Sequence, residues 1–226
     1  MCFSAEASFA VGTALLPVGA FCVVQAVRKK PDAIPLAVVP IVFGVQQISE
    51  GFVWRALHVD DPAAIRDASL AFLFFAVAFW PFWFPLITTI IEPQPGKRKW
   101  FFALAILSTF WLGAMYLPLV FGPPSLLTTS VKHHSIQYQY PDLWLYDYIP
   151  KKILRVVYFL MVALPMGLSS ESLGKVPGIM LGLSAIVAAV IYDYAFVSVW
   201  CFFAAIMSGY MAWMFWKMPN SRSLDS

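Results

Sequence analysis

The chain has 226 residues, of which 61% are apolar and only 12% charged, with a net charge of +3. A soluble domain carries about 25% charged residues, so this composition excludes an ordinary soluble domain and a nucleic-acid-binding surface, and is read as an integral membrane protein. Three cysteines, Cys2, Cys22 and Cys201, make an odd number without a C-x-x-C pair; they form no disulfide framework, although a single Cys2–Cys201 bridge is compatible with an oxidising compartment.

A helix crossing the hydrocarbon needs about 20 mostly apolar residues. In chain order the expected spans are Ser8–Ala26, stopped by Arg28, Lys29 and Lys30, and Ile34–Leu57, stopped by Asp60, Asp61 and Pro62. Leu70–Ile91 follows, and then Trp100–Phe121, ended by Gly122, Pro123 and Pro124. A polar loop over about 123–152 comes next. The fifth span, Ile153–Leu168, is short and carries Arg155 near its start. The run Val176–Trp216 is too long for one crossing and divides most simply near Asp193, giving seven spans in all. Pro17, Pro40, Pro81 and Pro85 fall inside apolar runs, with Pro118 and Pro165 nearer helix ends; membrane helices tolerate them where neighbours serve the freed carbonyls.

The expected fold is therefore an all-α, seven-helix transmembrane bundle forming one domain over residues 1–226, with a short inner tail at 217–226. Orientation follows from Lys and Arg in the loops. With the N-terminus outside, the inner side holds Arg28, Lys29, Lys30, Lys97, Arg98, Lys99, Lys175, Lys217 and Arg222. The outer side keeps Arg55, Arg66, Lys132, Lys151, Lys152 and Arg155. An outside N-terminus and an inside C-terminus fit this bias, and the expected setting is an inner (cytoplasmic) membrane.

Within the spans the costly residue is Glu50, in "FGVQQISEGFVW". A carboxylate at the bilayer centre costs on the order of 3 kcal/mol, so such groups face a bundle interior or water. Glu50 lies seven residues before Leu57, roughly 10 Å below the outer end of its helix. Gln46, Glu50 and Trp54 are four apart, and Gln47 is three before Glu50; with Phe43 they share one helix face, which is expected to look inward. The same outer side collects Cys2, Ser4, Glu6, His58, His133, His134, Asp142, Asp147 and Cys201. These residues make two readings of Glu50 equally open: a polar knot between helices, or a ligand site.

At "MCFSAEASF", "GVQQISEGFVW" and "VWCFFAA" the chain resembles a family of small bacterial multi-pass membrane proteins that begin Met-Cys-Phe-Ser, a domain of unknown function. The resemblance implies a similar multi-span architecture and directs attention to Cys2, Gln47, Glu50 and Cys201. It implies no activity.

The leading expectation is an outer-facing pocket centred on Glu50 that binds a metal or a small ligand, drawing on Cys2, Gln46, Gln47, Glu50, His133, His134 and Cys201. A Cys2 thiolate, the Glu50 carboxylate and an imidazole, His134 foremost, suit zinc or copper. A membrane-embedded hydrolase is a second class, weakened by only three histidines and no H-x-x-x-H. A proton-coupled transporter using Glu50 is a third. A structural subunit is a fourth, with the aromatic loop "YQYPDLWLYDYIP" serving either the interfacial belt or a partner. A retinal protein is disfavoured, because Phe196–Trp216 has no lysine. The lipid bilayer is the expected partner, with a homo-oligomer or a membrane complex left open.

Overall fold

The computed structural model describes residues 4–132, 134–191 and 196–219, with the side chains of 185 and 187–206 outside that description. Seven long helical segments run through it: α1 (Ala5–Lys29), α2 (Pro31–Val59), α3 (Pro62–Ile91) and α4 (Pro95–Phe121), then α5 (Lys151–Leu168), α6 (Ser172–Ile191) and α7 (Phe196–Lys217). Among the described residues four helices, α1 to α4, are long and apolar enough to cross a membrane. The 18 residues of α5 include Lys151, Lys152 and Arg155, a charge load none of those four carries in its apolar stretch. The expected break near Asp193 falls outside the described residues.

The helix limits have local causes. The Ser4 hydroxyl accepts from the Ala7 N–H at 3.2 Å and caps α1, while Arg28 and Lys29 complement the dipole in its last turn. Asp60 closes α2 with a left-handed φ of 53°. Asp61 then caps α3 by accepting from the Ala63 and Ala64 N–H groups, and Pro62 stands at the first helical position, where its missing N–H is harmless. α3 and α4 start earlier than their apolar runs, because Arg66 and Lys97–Lys99 are accommodated in their opening turns.

Proline shapes α3. The segment Phe74–Phe79 is a π-helical turn, in which the Trp80 N–H reaches back to the Phe75 carbonyl. Pro81 has no N–H to continue either ladder, which frees the carbonyls of Ala76 and Val77. Tyr158 on α5 donates to Ala76 O at 2.6 Å, and Trp111 on α4 donates through Nε1 to Val77 O at 3.0 Å. Pro85 similarly frees Pro81 O, which the Ser108 hydroxyl meets at 2.7 Å. Three neighbouring side chains thus repair one proline-broken helix and pin α4 and α5 to it.

α1 and α2 pack closely through Gly12 and Gly44. A Cβ on Gly12 would sit 2.7 Å from Gly44 O, and one on Gly44 would sit 2.8 Å from Gly12 O, so only small residues permit this approach. Facing away from the bundle, α4 exposes Trp100, Phe102, Ile106, Leu107, Phe110 and Phe121. A run of large apolar side chains along one helix suits lipid and would be a liability in water.

The segment expected as a polar loop contains a two-stranded antiparallel hairpin, β1 (Thr128–Lys132) and β2 (Ser135–Gln139), with Lys132 opposite Ser135. His134 occupies the turn with a φ of 58°, a region His enters more readily than most residues. The hairpin docks on the start of α3, where Ser69 and Thr129 hydroxyls lie 2.9 Å apart. At the opposite end of the bundle, Lys29 donates to the carbonyls of Phe215 and Trp216, Lys30 pairs with Glu171, and Lys97 donates to Leu168 O and Ser170 Oγ. We call these the hairpin end and the basic end.

Candidate ligand site

The polar face of α2 is buried as its spacing predicts. Gln46 and Glu50 are 0% exposed and Gln47 is 2% exposed. Phe43 lies on the same face, its ring stacked on Trp80 of α3 with centroids 4.0 Å apart. Trp80 Nε1 donates to Gln46 Oε1 at 2.6 Å, a buried bond that ties α3 to α2. Two amides and a carboxyl group held in an apolar bundle each need hydrogen-bonding company, and among the described residues they form a concentrated polar node.

One turn toward the hairpin end, Trp54 continues this face. It also lines a cavity of about 600 Å³ shared with Ser4, Glu6, Arg55, His58 and Val131. The cavity opens where the start of α1, the end of α2 and strand β1 meet. Two buried donors, Trp54 Nε1 and Ser8 Oγ, have no hydrogen-bond partner among the described residues. The mouth therefore combines a carboxylate, an imidazole, a guanidinium and an indole N–H, with the Gln46–Glu50 node deeper on the same helix.

The candidate residues named from sequence are distributed unevenly. Gln46, Gln47 and Glu50 are brought together. His134 is exposed in the hairpin turn and does not line the mouth. Cys2, His133 and the side chain of Cys201 lie outside the described residues. Among the described residues no three His, Cys, Asp or Glu side chains gather as metal ligands, so a zinc or copper ion held at Glu50 would draw ligands from beyond them. Glu6 and His58, which the sequence places on the outer side without a role as ligands, both line the mouth.

The basic end is built from different chemistry. Glu92, 2% exposed, accepts from the Ser170 N–H at 2.9 Å, the Ser169 hydroxyl at 3.0 Å and the Gln94 N–H at 3.1 Å. Burial opposes its charge, but these donors together hold the carboxyl below the ordinary carboxylate value. Glu171 behaves alike: burial opposes its charge, and the hydrogen bond and charge of Lys30 outweigh that and hold it low. These groups fasten the α3–α4 loop to the α5–α6 loop and to the end of α1, which is structural work.

The chain belongs to a family of unknown function, DUF6629, whose profile matches residues 1–224. No curated protein and no solved structure matches it.

Proposed function

We propose that the chain is a bacterial cytoplasmic-membrane protein that crosses the bilayer seven times, N-terminus outside and C-terminus inside, and binds a metal ion or a small polar ligand at the hairpin end with Glu50 as the anchoring group. The observation that carries this reading is Trp54, which belongs both to the buried face of Gln46, Gln47 and Glu50 and to the wall of the mouth cavity. The basic end supports the orientation, since Lys29 bonds to the last turn of α7, which ends at Lys217, while Lys30 and Lys97 meet the α5–α6 loop beside it, and a cytoplasmic face is rich in Lys and Arg.

The second reading is a purely structural node, and the Gln46–Trp80 bond favours it. Elemental analysis of detergent-purified protein, beside Cys2→Ser and Glu50→Gln variants, separates the possibilities. Near-stoichiometric zinc or copper lost in both variants makes the ligand a metal with Cys2 as a donor. No metal in the wild type removes the metal and leaves the small ligand. A Glu50→Leu protein that keeps its bound species and changes only in melting temperature makes the node structural.

A further inference from the structure

The aromatic loop between the hairpin and α5 has two opposite faces. Leu143 is buried, and Leu145, Tyr146 and Ile149 pack beside it against a cluster that includes Phe72, Trp111 and Ile136. Trp144 and Tyr148, at the two ends of one 3-10 turn, face away and are 50% and 77% exposed. Their rings meet edge to face with centroids 6.1 Å apart. The inward side chains fix the loop, so the outward pair is presented by a packed scaffold.

Pro150 then leads into α5, whose exposed apolar side chains are Ile153, Val156, Leu160, Leu164 and Leu168. Spacings of three and four put them on one side of the helix. Such a stripe suits acyl chains and would be a liability in water. It is also short. From Ile153 to Leu168 it rises about 22 Å, against a hydrocarbon core of about 30 Å. Lys151 and Lys152, both exposed, end it on the hairpin side. The loop lies beside that end, since Lys151 Nζ sits 4.6 Å from the centroid of the Tyr146 ring. A span shorter than the hydrocarbon is accommodated by thinning the bilayer or by flanking side chains that reach the interface. Trp, Tyr and Lys are the residues that serve there.

We propose that Trp144 and Tyr148 insert into the headgroup region of the leaflet at the hairpin end and extend the short α5 span to the bilayer surface. The inference rests on the reading that α5 crosses the membrane. Continuity identifies the occupant: lipid that covers Ile153 and Val156 reaches the start of α5, where the aromatic pair is held. Asp142 and Asp147, exposed in the same loop, set the depth. Carboxylates are tolerated among headgroups and costly in hydrocarbon, so the loop lies at the interface and goes no deeper.

Fluorescence quenching of the full chain in phosphatidylcholine nanodiscs tests the proposal. Trp144→Phe removes one exposed indole, so the emission of Trp144 is the difference between the wild type and this variant. Lipid brominated high on its acyl chain, near the glycerol, should abolish most of that difference, and aqueous iodide much less. If Trp144→Phe does not yield a monodisperse protein, an environment-sensitive fluorophore on Tyr148→Cys in a Cys-free background decides, with the same order of quenchers expected. The same fluorophore on Leu160→Cys reports the crossing separately and should be quenched by bromine deep in the acyl chain. Deep quenching at Leu160 with iodide dominant at Trp144 would overturn the anchor and leave the crossing intact. Loss of deep quenching at Leu160 would overturn the crossing on which the anchor rests. Protection of Trp144 from both quenchers would mean that protein covers it, and would overturn the lipid assignment.

Discussion

Trp111 Nε1 donates to the carbonyl oxygen of Val77 at 3.0 Å, the oxygen that Pro81, four residues further along the same helix, cannot serve. The relationship makes a proline inside α3 a docking point for α4. It also yields a double-mutant cycle. Trp111→Phe leaves Val77 O without that donor and should cost about 1 kcal/mol, between the ~0.6 measured on average for interhelical bonds in membranes and the ~1–3 for an orphaned buried group. Pro81→Ala restores the local N–H, so the hydrogen-bond part of that cost should shrink in its background. Melting of the four proteins in detergent checks this, and an unchanged Trp111→Phe effect in the Pro81→Ala protein would contradict it.

The close approach of α1 and α2 makes a second expectation. Gly44→Ala places a Cβ 2.8 Å from the backbone oxygen of Gly12 and should destabilise by about 1–3 kcal/mol, the usual range for overpacking. Gly113→Ala, where a Cβ meets nothing within 4 Å, should be neutral or gain up to about 1 kcal/mol from helix propensity. Thermal stability of the two variants measured side by side distinguishes packing from propensity; equal effects would count against the close contact.

Acid should loosen the basic end first. The hydrogen bonds to Glu92 and the Lys30 partner of Glu171 hold both carboxyls below their ordinary value, so their contribution is fully present above the unfolded value and is lost as pH falls through the folded one. Hydrogen exchange of the α3–α4 and α5–α6 loops, followed downward from pH 5, should accelerate there before it does at the hairpin. Glu92→Ala should remove most of that pH dependence from the first loop. A loop whose exchange, corrected for intrinsic rate, is flat with pH in the unmodified protein would refute the assignment.

Orientation can be read from single cysteines placed in a Cys-free background. Lys132→Cys on the hairpin should react with a membrane-impermeant maleimide in intact cells, whereas Gly96→Cys and Lys217→Cys should react only after permeabilisation. Labelling of Lys217→Cys from outside would reduce the number of crossings to six.

Much of the architecture was legible because a membrane helix writes its length into an apolar run. α1 and the Ile34–Leu57 span lie within one element each. The Glu50 face was legible for a related reason: an i, i+3, i+4 pattern of Gln, Glu and Trp fixes a face before any partner is known. The hairpin was not, because Thr128–Lys132 and Ser135–Gln139 are short and too polar for an alternating apolar signal. The π-helical turn was hidden as well; Pro81 signalled a break, but the donors that repair it come from α4 and α5.

The central claim is that Glu50 anchors a bound species and does more than tie helices together. Native mass spectrometry of the purified wild type beside Glu50→Leu tests it most directly. We expect a stoichiometric mass of a metal ion or small molecule above that of the wild-type chain, absent from a folded, monodisperse Glu50→Leu protein. The same mass on both proteins, with only the melting temperature changed, would contradict the claim and leave Glu50 a structural knot.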